Sequence, residues 1–484
     1  MRRTALLVIL AAAAAARLWF LMAGVPHAVG IDEPQVVDRA IRILRTGDWN
    51  PHVFDYPTLV IYFHAVLAIV RFLWGALNGE WRSLDGFTIE AIYSMSRTAA
   101  ALLGVATVWL TYRLGSEAVS RAAGLLAAAQ LAVRPMHVRE SHFVLTDVPM
   151  TALTTLAMWM TVRAMRLGTV RAFAWAGAIC GFAAAAKYTG GVAIVALLAA
   201  WVLTERAAPD RARKLGAAIG AAAVAFLLAA PYTVLDMPAF LDGFAAQFAR
   251  FAAPAPAGDP AWLLYLKHLS PGWSRFWVPL GLVGIALLLW RPRTRITAFP
   301  IVLFAFAYFY VISSHSHVFG RYALPLVPLL CLFTAVGALE IVAALRRLPA
   351  LRRPAYGPLL ATTVVAVLVL SPIAETVSWL DHLKRPDTRT IAAEWLKANT
   401  PKGTRLAVEN NGPTYLDAAG FKVMAGELML EHPADWYTSR VDYLVISAVD
   451  LSRYAEYMNA GRTVLQIPST PQRWGPPILI VSLR

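Results

Sequence analysis

Hydrophobic residues in this chain come in long blocks, without the alternation of a half-buried strand or the narrow apolar stripe of a surface helix. Apolar runs near the roughly 20 residues needed to cross a bilayer occupy 6–21, 97–115, 121–136, 148–166, 171–187, 189–204, 215–232, 275–290, 297–313, 321–345 and 355–375. The pattern predicts about eleven transmembrane helices. The first is expected to stay uncleaved, because Arg17, Trp19 and Phe20 follow its Ala-rich core where a signal peptide would carry small residues.

One further run, Thr58 to Asn78, is apolar enough to cross but carries His64 and Arg71. The basic residues arbitrate. If this run lies along the membrane surface, the clusters Arg113/Arg121, Arg163/Arg166/Arg171, Arg206/Arg211/Arg213/Lys214, Arg291/Arg293/Arg295 and Arg346/Arg347/Arg352/Arg353 all fall on the cytoplasmic side with Arg2 and Arg3. If it crosses, every cluster is on the wrong side. Residues 25–96 are therefore expected to form a large first external loop with interfacial helices near 34–46 and 58–78.

An odd number of spans puts the C-terminus outside. From about Lys384 the pattern turns soluble: a helix at Thr388–Asn399, then short apolar strands at Arg405–Glu409, Tyr443–Ser447 and Ile478–Leu483, with turns such as Pro401-Lys402-Gly403. The expected organisation is a polytopic α-helical membrane domain, 1–380, followed by a small extracytoplasmic α/β domain, 384–484.

Composition agrees, with 58% hydrophobic residues and 16 Trp among 484. The net charge of +15 would suit a nucleic-acid partner, but the basic residues lie between apolar runs where topology accounts for them. No nucleic acid is expected. Cys180 and Cys331 both fall inside apolar runs, so no disulfide framework exists. Gly177/Gly181 and Gly216/Gly220 have the small-xxx-small spacing of packed membrane helices. No repeat and no phosphate-loop or dinucleotide fingerprint appears.

The external loops collect nearly all the reactive side chains. Asp32, Glu33, Asp55 and Tyr56 lie in the first; Arg134, His137, Arg139, Glu140, His142 and Asp147 in the second; Lys187 with Tyr188, and His315, His317 and Arg321, at two later outer turns. Basic groups among carboxylates at one membrane face suit an anionic lipid phosphate together with a hydroxyl to be deprotonated. That is a constellation for glycosyl transfer.

The ordered motifs carry a resemblance. Asp32-Glu33-Pro34 after the first span, Tyr56-Pro57-Thr58-Leu59, Ser141 through Pro149, Ala186-Lys187-Tyr188-Thr189-Gly190, Pro231-Tyr232 with Leu235-Asp236 and Phe240, and Arg321-Tyr322 with Pro325 and Pro328 run through most of the membrane part. Together they resemble the GT-C superfamily of polyprenyl-phosphate-sugar-dependent glycosyltransferases, near the protein O-mannosyltransferases and the lipid A aminoarabinose transferases. The resemblance implies a GT-C fold in the cytoplasmic membrane with its active site outside. It implies a polyprenyl-phosphate-linked sugar donor, an acceptor that is a lipid, glycan or protein, and Asp32 as base toward the acceptor hydroxyl with Glu33 assisting. Asp147 joins the candidate catalytic set. Asp55, Tyr56, Arg139, His142, Lys187, Tyr188, His317 and Arg321 are the candidate substrate-binding residues. Tyr56 replaces a Lys that the lipid A transferases have before the proline, so Arg139, Lys187 and Arg321 are expected to supply the phosphate contacts.

Plainer readings stand beside these. Asp32 and Glu33 before Pro34 could only cap a helix, Asp147 before Val148-Pro149 is a natural N-cap, and Lys187 and Arg321 could anchor span ends in the headgroups. His315 and His317 are spaced to share a divalent metal, yet no Cys or carboxylate adjoins them, so no metal site or cofactor is assigned. The competing function class is a transporter or flippase of lipid-linked sugar, which would place its polar groups near the bilayer midplane.

Overall fold

A computed structural model describes residues 2–204, 209–252, 258–270, 275–315, 317–349 and 356–484; Arg206, Arg352 and Arg353 lie outside them. The chain forms two compact units, the first of Met1–Trp19, Val36–Val70 and Ser96–Val377, the second of Phe20–Gln35, Arg71–Met95 and Ser378–Arg484.

Helices dominate the chain as far as His382: α1 (Arg2–Leu18), α2 (Glu33–Thr46), α3 (Leu59–Leu77), α4 (Ile89–Ala118), α5 (Arg121–Ala132) and α6 (Pro135–Glu140). They continue as α7 (Asp147–Leu167), α8 (Val170–Ala186), α9 (Ile194–Thr204), α10 (Arg211–Ala229), α11 (Tyr232–Leu235), α12 (Met237–Ala252), α13 (Ala261–Leu269), α14 (Trp277–Trp290), α15 (Arg295–Ser313), α16 (Leu326–Leu345) and α17 (Tyr356–His382). Among the described residues six helical stretches are long and apolar enough to cross a membrane: Leu59–Leu77, Ile89–Ala118, Arg211–Ala229, Arg295–Ser313, Leu326–Leu345 and Thr362–His382. The segment expected along the surface, α3, is one of them.

The expected eleven spans do not all appear as full-length helices. The run 121–136 yields only the twelve residues of α5, because Arg134 precedes Pro135 and adopts an extended conformation, φ −76° and ψ 119°. Twelve residues rise about 18 Å, short of a hydrocarbon core of roughly 30 Å. The run 189–204 likewise begins as a 3₁₀ turn, Tyr188–Ala193, before α9.

Within the first unit, buried polar groups secure the helix ends. The carbonyls at the end of α5 are met by the Arg17 guanidinium, which donates to Leu131 O at 3.0 Å and Ala132 O at 2.9 Å, and contacts His137 Nδ1 at 3.0 Å. The glycine spacing is half explained by packing. A Cβ on Gly177 or Gly181 of α8 would strike the Ala218 or Ala222 carbonyl of α10, whereas Gly216 and Gly220 face open space. Close backbone approach therefore uses the α8 glycines against α10 alanines.

The second unit holds α18 (Thr388–Asn399) and a five-stranded sheet of β1 (Arg405–Glu409), β2 (Lys422–Gly426), β3 (Tyr443–Ser447), β4 (Arg462–Ile467) and β5 (Ile478–Ser482), in the order β2-β1-β3-β5-β4. β1 runs parallel to β2 and β3, while β5 is antiparallel to β3 and β4. One face packs on Ala392, Ala393 and Leu396 of α18, and the other on Tyr437, Tyr454 and Tyr457.

Candidate active site

Asp147 opens α7, with its side chain only 3% exposed. A lone carboxylate at that depth would be costly, so partners are required. Lys187 Nζ donates to Oδ1 at 2.7 Å, and Arg321 Nε stands 3.6 Å from Oδ2, an ion pair longer than a hydrogen bond. Three of the predicted site residues, from three distant segments, thus converge on one point.

The sequence around each residue explains its placement. α8 ends at Lys187, whose extended backbone (φ −159°, ψ 135°) turns the chain, and Gly190 N closes the turn on Lys187 O at 2.7 Å. Gly190 is needed there because a Cβ would collide with the Ala183 carbonyl. Arg321 sits in the 3₁₀ turn Gly320–Ala323, which Pro325 and α16 follow. The next residue, Tyr322, is buried and lies with its ring 4.1 Å from Lys187 Nζ, and Tyr308 donates its hydroxyl to the Tyr322 carbonyl at 3.0 Å. Tyr322 thereby covers one side of the ammonium.

Arg139 and Glu140 form a second pair, with Arg139 Nε and Nη2 at 2.9 and 2.7 Å from Glu140 Oε1. Burial pushes the Glu140 carboxyl above its usual range; Arg139 opposes that shift, Asp147 adds to it, and Arg321 again opposes it. Arg139 is half exposed while Glu140 is buried, so the guanidinium faces outward from a fixed counter-ion. Counted formally, Lys187, Arg139 and Arg321 against Asp147 and Glu140 leave one positive charge, suited to an anion.

Asp55 lies beside this group. It takes a forked pair from Arg39 at 2.8 and 3.3 Å and accepts from Tyr56 N at 3.0 Å. Tyr188, next to Lys187, donates its hydroxyl to the Phe54 carbonyl at 3.1 Å and packs edge-on against Phe244. Burial raises the Tyr188 phenol pKa, and Asp55 raises it further. The loop carrying Asp55 and Tyr56 is tied in this way to the Lys187 turn.

The His142 ring is turned to the backbone. His142 has both ring nitrogens on backbone carbonyls, Val138 at 2.9 Å and Trp19 at 3.0 Å, and burial lowers its pKa to about 4. It staples the loop after α6. His317 is exposed. Among the described residues no group of three His, Cys, Asp or Glu stands close enough to hold a metal.

Asp32 and Glu33 belong to the second unit and have different surroundings. Glu33 is fully buried, and Gly30 N donates to its Oε2 at 2.7 Å while Glu33 N returns a bond to Gly30 O at 3.0 Å. Its carboxylate closes the turn that starts α2. Asp32, just before it, is half-buried. Glu140 and Tyr322 are the residues that sequence reasoning did not select; Glu140 was recognisable as a carboxylate in the second external loop, and Tyr322 as the neighbour of Arg321.

Residues 84–234 match the family model of dolichyl-phosphate-mannose-protein mannosyltransferase. The matched stretch holds Arg139, Glu140, Asp147, Lys187 and Tyr188, and excludes Asp32, Asp55 and Arg321. No curated protein matches the chain by sequence. Among solved structures, ArnT from Cupriavidus metallidurans bound to undecaprenyl phosphate is similar with a TM-score of 0.61 at 16% identity, over 99% of this chain and 98% of that one. Its apo form gives 0.64 at 15% identity, over 100% and 99%. The archaeal oligosaccharyltransferase AglB from Archaeoglobus fulgidus, in complex with an inhibitory peptide and a dolichol-phosphate, gives 0.62 at 13% identity, over 93% and 70%. The chain shares the fold of the ArnT and AglB structures.

Proposed function

We propose that this protein is a membrane glycosyltransferase that moves a sugar from a polyprenyl-phosphate donor to an acceptor hydroxyl at the outer face of the cytoplasmic membrane. The membrane part, 1–380, does the chemistry, and the C-terminal domain, 384–484, lies outside. Asp32 takes the proton from the acceptor hydroxyl. The freed oxygen attacks the anomeric carbon, the bond from that carbon to the phosphate oxygen breaks, and the electron pair leaves on the lipid phosphate. Lys187, Arg321 and Arg139 hold that phosphate, and stabilise it most as its charge grows. Asp147 keeps Lys187 and Arg321 in place before the donor arrives, so little reorganisation is left for the reaction itself.

The observation that carries this reading is the convergence of Lys187 and Arg321 on buried Asp147, with Arg139–Glu140 electrostatically coupled to it. Undecaprenyl phosphate in the ArnT structure and dolichol-phosphate in the AglB structure give the ligand chemistry that such a cluster would accept. The acidic residue assigned as base rests on the resemblance of Asp32-Glu33-Pro34, and on Asp32 being accessible where Glu33 is locked in a turn.

The test is turnover by the purified protein in lipid nanodiscs, offered a panel of undecaprenyl-phosphate-linked sugars with envelope lipid and glycan extracts as acceptors, and read as released polyprenyl phosphate by mass spectrometry. Asp32→Asn should lower turnover by about 10²–10⁴-fold, the contribution of a positioned base. Full turnover in Asp32→Asn would remove the base assignment. Movement of intact lipid-linked sugar across proteoliposomes, with no release from any donor, would establish the transporter reading instead.

A further inference from the structure

The five carbonyls from Pro26 to Gly30, on the approach to the acidic motif, are all satisfied, and four of them by residues several hundred positions away. Thr414 Oγ1 donates to Pro26 O at 2.7 Å and Thr414 N to His27 O at 2.9 Å. Arg389 Nη2 donates to Ala28 O at 3.3 Å and its Nη1 to Val29 O at 3.0 Å. Gly30 O receives Glu33 N at 3.0 Å. The His27 ring is held at both ends, by the Thr414 carbonyl at 2.8 Å and by Lys397 Nζ at 2.6 Å. No regular secondary structure pairs this segment with its partners; side chains and one loop amide do it.

Arg389 is built for the task. It sits in the first turn of α18, and Asp387, the N-cap of that helix, accepts its backbone N at 2.8 Å, its Nε at 3.0 Å and its Nη2 at 2.9 Å. Both side chains are nearly buried, 10% and 5% exposed. The guanidinium plane is therefore fixed by the helix end, and two of its three remaining N–H groups meet two consecutive carbonyls three and four residues before Asp32. A planar fork presents its donors in fixed directions toward both carbonyls, whereas an ammonium is a point charge whose three donors rotate.

We propose that the C-terminal domain is the positioning frame of the acidic motif, with Arg389 as the positioning residue that fixes the path of the chain into Asp32. The proposal rests on the reading of Asp32 as base. A displacement of about 1 Å at a reacting group can cost about 10²-fold in rate, so a domain that holds the entry to Asp32 controls turnover without touching substrate. It also gives the soluble domain a role in the reaction that needs no ligand of its own.

The experiment measures hydrogen exchange over residues 26–33 and transfer kinetics in Arg389→Ala, Arg389→Lys and Thr414→Val of the full-length protein in nanodiscs. Arg389→Ala should speed exchange across the segment at least about tenfold through local opening and lower kcat by about 10²-fold, with polyprenyl-phosphate affinity unchanged. Arg389→Lys, which keeps the positive charge without the fixed fork, should fall between. Thr414→Val removes only the Pro26 bond and gives a milder version of the same split, which keeps the test available if Arg389→Ala does not fold. Unchanged exchange overturns the frame, as does faster exchange with wild-type kcat while Asp32→Asn is inactive. Wild-type turnover in both Arg389→Ala and Asp32→Asn would instead overturn the base assignment. A merely structural role for Arg389 would lower yield and donor affinity together and leave no split between them.

Discussion

Lys187 and Asp147 form a pair whose removal separates holding a phosphate from holding the fold. Their side chains are 13% and 3% exposed. Truncating Lys187 to Ala leaves a buried carboxylate with one remaining cation, Arg321, at 3.6 Å. Breaking such a pair costs about 3–5 kcal/mol, and the surviving arginine puts this case near the lower end, about 3 kcal/mol. Asp147→Asn costs less, about 1–3 kcal/mol, because a neutral amide still hydrogen-bonds and Lys187 is the more exposed partner. In the double variant no buried charge is stranded, so stability should recover most of the loss, with a coupling of about 2 kcal/mol. Donor affinity behaves differently. A charge-assisted bond to phosphate is worth about 1.5–3 kcal/mol, or roughly 10- to 150-fold in Kd, and that loss must persist in the double variant because the ammonium is still missing. The assay is thermal unfolding in detergent alongside titration with undecaprenyl phosphate for the wild type and the three variants. If the double variant regains lipid-phosphate affinity as well as stability, Lys187 serves only to neutralise Asp147 and the donor site is elsewhere.

Other outcomes follow from the same structure. His142 has a folded pKa lowered to about 4 against about 6.5 when unfolded, so its stabilising contribution is complete above about 6.5 and is lost as the pH falls toward 4; His142→Gln should flatten the thermal stability of the protein across that window, and an unaltered pH profile would refute the assignment. Gly181→Ala should destabilise by pushing α8 off α10, whereas Gly220→Ala, facing open space, should be neutral or stabilising by up to about 1 kcal/mol from helix propensity; equal effects on the melting temperature would contradict the packing. A cysteine at exposed Ser439 should label with an impermeant thiol reagent from outside, and one at exposed Ser120 only after permeabilisation; the reverse pattern would mean that α3 crosses and the clusters face outward.

What could be read from the chain depended on how strongly burial marks the residues. The strands β1, β3 and β5 are nearly continuous apolar runs because they occupy the middle of the sheet, buried on both faces, and they were legible at close to their observed bounds. The strands β2 and β4 are the two edges. Their half-exposed sequences, Lys422–Gly426 and Arg462–Ile467, carry neither an apolar run nor a clean alternation, and pattern reading passed over them. The membrane runs show the opposite failure. Apolarity continued through Arg134-Pro135 and through the 3₁₀ turn Tyr188–Ala193, so hydropathy counted as span residues that a proline or a tight turn keeps out of the α-helix.

The candidate site was legible as a set of charges at span ends, but not as a circuit. Sequence reasoning offered Asp147 as a catalytic group or a helix cap, and Lys187 and Arg321 as phosphate ligands or headgroup anchors; spacing along the chain cannot show that the carboxylate is the counter-ion of both cations. That joint arrangement bears on the anchor reading. A lysine that only snorkels to the headgroups has no need of a buried carboxylate at 2.7 Å, and an aspartate that only caps α7 would be better served by solvent than by the cost of desolvation. A buried ion pair is a poor device for stability, since an apolar pair of equal volume would serve as well or better. Its retention at this turn, beside a second pair and under a tyrosine ring, fits a site that must keep cations ready and oriented for an anion. The same distinction separates the two acidic neighbours of the first loop. Glu33 closes its own turn at the start of α2, whereas the carbonyls of residues 26–29 ahead of Asp32 are held by Arg389 and Thr414.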